Sequence, residues 1–266
     1  MIVPELPEVE TVVRTVAPKL TGRRIVSARF SSKHVVRENF ARLAKRIAGR
    51  TVTGVTRHGK FIVIELDKGN LLVHLGMTGR LIVNGETGPY THALFELDEG
   101  VLVYNDPRQF GRIEWSEGLP ARVARLGPDA LTVTEDEFLT RLKSRRSVRI
   151  KPLLLNQAFV RGMGNIYADE ALFASGIHPR ADAARLSKPR ARRLHAAMVE
   201  VLRAAIASKG STISDYVYDE NRRGSFQQHL LAYGRTGEPC ERCGTPIRRI
   251  VLGGRGTHFC PKCQRA

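Results

Sequence analysis

Four cysteines carry the most legible chemistry in the chain. Cys240 and Cys243 form one Cys-x2-Cys pair, Cys260 and Cys263 form a second, and 16 residues separate them. Two such knuckles joined by a hairpin can set four thiolates tetrahedrally around one ion. The spacing therefore predicts a single Zn2+, with redox pairs or an iron–sulfur cluster as the alternatives. Four thiolates close the coordination sphere and leave no position for water, so the ion is expected to be structural. In so small a module, metal binding supplies much of the folding energy. All four cysteines fall in the last 27 residues, which argues for one local site and against a secreted disulfide scaffold.

Other stretches hold chemistry that the residues alone leave open. Pro4-Glu5-Leu6-Pro7-Glu8-Val9-Glu10-Thr11 is a helix start, with prolines and acids suited to a first turn. In Val160-Arg161-Gly162-Met163-Gly164-Asn165-Ile166-Tyr167, two glycines permit close backbone approach and Asn165 is a good N-cap. A phosphate site and an ordinary capped turn fit it equally. His58-Gly59-Lys60 precedes a strand, His74-Leu75-Gly76-Met77-Thr78-Gly79 ends one, and Asn105-Asp106-Pro107-Arg108-Gln109-Phe110-Gly111 turns into another. Between the cysteine pairs, glycines on both sides of Arg255 predict a tight hairpin presenting one cation.

The elements that position these residues change character along the chain. Val9, Val12 or Val13, Val16 and Leu20 give the first helix its apolar stripe. Residues 23 to 115 read as short strands without intervening helices, at 51–55, 61–66, 71–75, 81–83, 93–97, 101–104 and 112–115, which means an antiparallel sandwich or barrel. Near residue 130 the period becomes helical. Thr134 and Glu137 form a capping-box pattern, and helices are expected at 148–157, 166–175 and 189–209, the last two ended by Gly176 and Gly210. From about Gly234 the composition shifts to Gly, Arg and Cys. Forty-three Lys and Arg against 26 Asp and Glu give a net charge of +17, a balance whose common partner is nucleic acid. Residues 141 to 151 carry six cations and no acid, and Arg185 to Arg193 carries five more, each individually a solvated face or a phosphate contact. No apolar run reaches the roughly 18 residues of a spanning helix. The N-terminus lacks a signal pattern, so no membrane partner and a cytoplasmic location are expected.

Five of these motifs, in the family's order along the chain, resemble the bacterial formamidopyrimidine-DNA glycosylases of the formamidopyrimidine glycosylase/endonuclease VIII family. The resemblance covers nearly the whole chain, and Leu6 favours that branch over the endonuclease VIII-like one, which has Gly there. It implies an α+β multidomain protein. Its parts are an N-terminal antiparallel β-sandwich with a helix (1–130), a helical domain with a helix–two-turns–helix motif (131–233) and a C-terminal zinc-finger hairpin (234–266). It also implies a base-excision repair enzyme, a bifunctional DNA glycosylase and AP lyase acting on oxidised purines in double-stranded DNA, and a monomer is expected. Pro4 would be the nucleophile through its amine and Glu5 the proton carrier at the sugar. Lys60 would contact DNA near the damaged nucleotide and be required for efficient base removal. Glu8 is either a helper or a helix-start carboxylate, the structural role being favoured. His74 and Met77 sit in the motif whose Met fills the gap left by a flipped nucleotide. Arg108 would meet the orphaned cytosine and Phe110 would wedge the next base step. Asn165 and Arg255 would grip phosphates, and Tyr233 leads into the zinc hairpin.

The chain departs from the family pattern in four places. Met1-Ile2-Val3 precede Pro4, and an internal proline is a tertiary amide that cannot attack; either Val3 stands for a GTG start or the proline chemistry is lost. Arg161 stands where a small residue is expected, which means an extra phosphate contact or altered loop packing. Gln109 is less basic than in many relatives. Asn221-Arg222-Arg223-Gly224 makes the base-capping loop, which begins near Ser214-Asp215-Tyr216, more basic than expected. Two alternatives stand beside the enzyme: a damaged-DNA-binding homologue with capped Pro4, and a zinc-ribbon RNA-binding protein.

Overall fold

The computed structural model describes residues 3–144, 148–212, 218–219 and 222–266. Met1 and Ile2, Arg145 and Arg146 of the basic run, and Ser214, Asp215, Tyr216 and Asn221 of the capping loop lie outside the described residues. The chain forms two compact units, residues 1–124 with 208–225 and residues 125–207 with 226–266.

The first unit opens with α1 (Leu6–Leu20), whose Val9, Val12, Val13, Val16 and Leu20 are all buried. Eight antiparallel strands make two four-stranded sheets. One contains β1 (Ile25–Phe30), β5 (Arg80–Val83), β6 (Thr91–Leu97) and β7 (Val101–Asn105), in the order β1-β6-β7-β5. The other contains β2 (Val52–His58), β3 (Phe61–Leu66), β4 (Asn70–His74) and β8 (Arg112–Ser116), in the order β2-β3-β4-β8. Phe95, Leu102 and Tyr104 of the first sheet share one core with Ile62, Ile64, Leu71 and Val73 of the second and with the valine stripe of α1. Full burial of such a side chain contributes about 1.5–3 kcal/mol.

The expectation of strands without intervening helices is corrected by α2 (Phe40–Ile47), which follows β1. Phe40, Leu43, Ala44 and Ile47 lie one helical face apart, and the Asn39 side chain caps the first turn by accepting from the Arg42 N–H at 2.9 Å. Its two turns were too short to stand out from the strand pattern. β1 was not anticipated either.

A short turn of helix, α3 (Ala121–Ala124), closes this part of the chain. The second unit holds α4 (Glu135–Lys143), α5 (Ile150–Leu155), α6 (Asn165–Ser175) and α7 (Lys188–Ala207), followed by the hairpin of β9 (Arg248–Leu252) and β10 (Arg255–Phe259). Thr134 caps α4 as its sequence predicts, accepting from the Glu137 N–H at 3.2 Å. Gly176 ends α6 in the left-handed conformation, φ 69°. Among the described residues, no helix is long and apolar enough to cross a membrane.

Candidate active site and nucleic-acid interface

The start of α1 is built around two buried carboxylates. Glu5 is the N-cap and Glu8 the third helical residue, and each side chain accepts the other's backbone N–H, Glu8 at 2.9 Å. Both are at most 2% exposed, and Pro4 beside them is buried. The second oxygen of Glu8 accepts the Ser211 N–H at 2.8 Å. Gly210 must be glycine at this contact: its φ is +81°, and a Cβ would lie 2.8 Å from that same carboxylate. The helix start and the segment leading into the 213–217 stretch are thus tied through one side chain.

Glu10, one turn on, carries the order to Lys60. Burial pushes the Glu10 carboxyl up, but hydrogen bonds from Arg57 and Arg14 outweigh it and hold the group below its ordinary value. Arg57 reaches Glu10 at 2.8 Å and also donates to the Gly59 carbonyl at 3.1 Å. It therefore braces the His58-Gly59-Lys60 turn, whose Gly59 has φ 64°. Sequence reading passed over both Glu10 and Arg57.

His74 ends β4 with its ring edge-on to Phe61 at 5.1 Å. Burial, then the nearby charges of Lys60, Arg112 and Arg122, lower its pKa to about 4. It is neutral at physiological pH, with Nδ1 accepting the Gly76 N–H at 3.1 Å and the proton left on Nε2.

The turns at 74–79 and 105–111 interlock. A Cβ on Gly76 would stand 2.5 Å from the Gly111 nitrogen, and one on Gly111 would stand 1.6 Å from the Tyr104 hydroxyl. Asp106, fully buried, joins them: it accepts from Thr78, from Tyr104 at 3.3 Å, from the Arg108 N–H at 3.3 Å and from the Gly111 N–H at 2.8 Å. Burial, and then Asp106, push the Tyr104 phenol well above its ordinary range, so it stays a donor. The result presents Arg108 with its guanidinium 4.8 Å from the Phe110 ring, while Phe110 is 53% exposed, unusual for so large an apolar group. Met77 is half-buried on the adjoining turn.

In the second unit, α6 organises everything else. Gly164, not Asn165, is the N-cap; Asn165 is the first helical residue, and its side chain donates to the Gly256 carbonyl at 3.1 Å. Lys151 corrects its place in the basic run, because it is fully buried rather than on a solvated face. Its Nζ lies 2.7 Å from Asp169 and donates to the Gly256 carbonyl and Thr257 hydroxyl, each at 2.9 Å. Asp169 also accepts the His258 N–H at 2.9 Å. Glu170 takes the N–H groups of Leu231, Ala232 and Tyr233 at 2.9, 2.9 and 2.7 Å. Burial raises its pKa despite those three donors. Tyr233 packs edge-on to His258 at 5.0 Å. Asn165, Tyr233 and Arg255 are therefore held by one buried network that no motif advertised. Arg161 serves loop packing, donating to the Gly127 carbonyl at 2.6 Å with Asp129 at 3.6 Å.

The hairpin turn is Gly253-Gly254, at φ 57° and 72°, and Arg255 is exposed as the first residue of β10 opposite Leu252. The sulfurs of Cys240, Cys243, Cys260 and Cys263 all lie within 4.8 Å of one another. Cys240–Cys263 is 3.9 Å and Cys243–Cys260 is 3.5 Å. A tetrahedron with Zn–S bonds of about 2.3 Å has edges of about 3.8 Å, so the donor set fits a single closed zinc site.

Comparison with known proteins covers the chain from both directions. The formamidopyrimidine-DNA glycosylase N-terminal domain matches residues 3–113, the H2TH domain of the same glycosylases matches 126–217, and the zinc finger found in FPG and IleRS matches 237–266. A formamidopyrimidine-DNA glycosylase of Solibacter usitatus is 53% identical over 264 residues, covering 98% of this chain and 99% of that one. One of Geobacillus kaustophilus is 42% identical over 276 residues, covering 98% and 100%. Among solved structures, a Lactococcus lactis FPG mutant bound to Fapy-dG-containing DNA superposes with TM-score 0.88 at 35% identity, covering 99% and 100%. The MutM (FPG) protein of Thermus thermophilus gives 0.87 at 39%, covering 98% of each chain.

Proposed function

The chain belongs to the formamidopyrimidine-DNA glycosylase family, a base-excision repair DNA glycosylase with AP lyase activity and one structural zinc, and from that premise we propose which residues do its work. The observation that carries the proposal is the start of α1, where Pro4, buried, immediately precedes the reciprocal Glu5–Glu8 pair. The substrate is an oxidised purine, 8-oxoguanine or a formamidopyrimidine, in duplex DNA.

The Pro4 nitrogen attacks C1′ of the damaged nucleotide, and the bond from C1′ to the base breaks as the base leaves with a proton. A free α-amine titrates below lysine, so more of it is neutral and nucleophilic near pH 7. Glu5 gives a proton to the sugar ring oxygen O4′ as the C1′–O4′ bond breaks, which opens the ring and leaves a C1′=N iminium to the Pro4 nitrogen. The resulting iminium makes the C2′ hydrogen acidic. Its loss expels the 3′ phosphate, loss of the C4′ hydrogen expels the 5′ phosphate, and hydrolysis of the imine frees Pro4. The route requires Pro4 to end the chain, so removal of Met1-Ile2-Val3 is a condition of it.

Lys60 and His74 approach the lesion-flanking backbone, a cation beside a neutral N–H donor. Met77 fills the place of the extruded nucleotide, Arg108 meets the orphaned cytosine and Phe110 wedges the neighbouring step. Asn165, Tyr233 and Arg255 bind phosphates. Four cysteines, Cys240, Cys243, Cys260 and Cys263, would hold the zinc, which fixes the hairpin and takes no part in the reaction. We divide the work into the domains 1–130, 131–233 and 234–266, supported by the three separate family matches, and take the enzyme to act as a cytoplasmic monomer. A zinc-ribbon RNA-binding role would leave the N-terminal and helical matches unexplained.

Borohydride trapping on duplex DNA with 8-oxoguanine opposite cytosine tests the assignment. A chain beginning at Pro4 should form a covalent adduct and the 266-residue chain should not. Adducts from both forms point to another amine, Lys60 first, and none from either, abasic DNA included, overturns the lyase assignment.

A further inference from the structure

Beside the Arg108 turn lies a concavity lined by His34, Arg37, Arg108, Gln109, Phe110 and Arg112, with no acidic residue in it. Among the described residues, seven other arginines of this unit sit on carboxylates, Arg57 on Glu10 and Arg122 on Glu114 among them. Among the described residues, neither Arg37 nor Arg112 has a carboxylate within ion-pair distance, and both are exposed. Two guanidiniums are thus kept uncommitted in one hollow of a unit that neutralises most of the rest.

The hollow is also built to keep its shape. The Ser32 hydroxyl donates to the Gln109 side chain at 2.6 Å and accepts the His34 N–H at 3.2 Å. The Val36 N–H returns to the Ser32 carbonyl at 2.9 Å, and the Ile113 N–H donates to the Val35 carbonyl at 2.9 Å. The segment carrying His34 and Arg37 is therefore fastened on one side to the residue after Arg108 and on the other to the residue after Arg112. Gln109 itself adopts φ 55°, a left-handed conformation that a non-glycine residue takes at a cost, and the Ser32 bond holds it there.

We propose that this hollow is a phosphate subsite for the DNA strand opposite the lesion, in which Arg37 and Arg112 take a phosphodiester next to the orphaned nucleotide and the Ser32–Gln109 bond positions them. The proposal rests on the assignment of Arg108 to the orphaned base. Successive nucleotides of a strand rise 3.4 Å along the axis, so cations sharing a hollow with the reader of one base fall within about a nucleotide of its own backbone. Planar guanidiniums suit a phosphodiester's paired oxygens. On this account the glutamine at 109 exchanges a direct charge for control of two neighbouring ones.

Binding to a duplex carrying a stable abasic analogue, with single methylphosphonates placed around the orphaned nucleotide, tests it. Neutralising the adjacent phosphate should weaken the wild-type protein about tenfold. Arg37→Gln and Arg112→Gln should weaken binding similarly, flatten the slope of log K on log salt by about 1 each, and lose sensitivity to that methylphosphonate. Gln109→Ala should weaken the same coupling, whereas Arg42→Gln, an exposed arginine outside the hollow, should retain it. Unchanged affinity and slope in R37Q and R112Q overturn the subsite, as does coupling to lesion-strand phosphates instead. Failure of the wild-type protein to prefer the lesion duplex over undamaged DNA would refute the underlying assignment of Arg108, a result distinct from loss of the subsite alone.

Discussion

Glu8 meets two backbone donors at once, the Glu5 N–H inside the capping box and the Ser211 N–H beyond it. Glu8→Gln replaces one acceptor by a donor facing a donor, which costs about 1–3 kcal/mol for a buried polar group. Urea denaturation should show that loss, and hydrogen exchange at the Ser211 amide should accelerate; unchanged exchange there would dismiss the tether. At His74 the consequence is a pH dependence. Its pKa of about 4 lies below the ordinary 6.5, so the folded state binds fewer protons than the unfolded one between those values. The stability it contributes is present above about pH 6.5 and is lost as pH falls toward 4, by at most about 3 kcal/mol at 1.36 kcal/mol per pH unit. His74→Gln keeps a side-chain acceptor for the Gly76 N–H, and its stability should fall less steeply over that window. Equal slopes would show that His74 is not held neutral.

At the scale of elements, α6 is the organising piece of the second unit through Asp169, paired with Lys151 of α5, and Glu170. Lys151→Met leaves Asp169 buried without its ion-pair partner, and breaking such a pair costs about 3–5 kcal/mol. Chemical denaturation should report that loss together with weaker DNA binding, because the Gly256 carbonyl, which Asn165 also holds and which follows Arg255 in the hairpin, loses its Lys151 donor; a variant as stable as wild type would refute the network. Lys151 also shows where sequence reading stops. In a run of six cations it looked like its neighbours, since a partner 18 residues away leaves no local mark. The cysteine knuckles, the valine stripe of α1 and the Thr134 cap were legible because their physics is local and periodic. α2 carried a proper apolar face, yet two turns among strands gave too short a signal. The Asp106 node and the Glu10–Arg57 brace join turns distant in sequence, and no spacing rule connects them. Asn165 was misplaced by one position because Gly164 serves as N-cap without a side chain.

At the scale of the whole molecule, the charge of +17 overstates the DNA interface. Arg141 donates to the Phe159 and Ala158 carbonyls, Arg149 to that of Arg180, and Arg192 pairs with Glu135, so several cations of the two basic runs do internal work. With roughly six to eight phosphates engaged, log K should fall against log salt with a slope of about −5 to −7, some 10³-fold between 50 and 200 mM salt. A slope near −2 would mean that most of the charge never meets DNA. Chelating the zinc should unfold the 237–266 module and remove the phosphate grip proposed for Arg255, read as lost binding that restored zinc recovers; full binding by zinc-free protein would separate the hairpin from DNA recognition. The central claim concerns where the enzyme and its substrate become one molecule. Peptide mapping by mass spectrometry of the borohydride-trapped adduct, formed with the chain that begins at Pro4, tests it most directly. The account predicts the deoxyribose remnant on the Pro4 nitrogen, and a remnant on Lys60 or any other side-chain amine would contradict it.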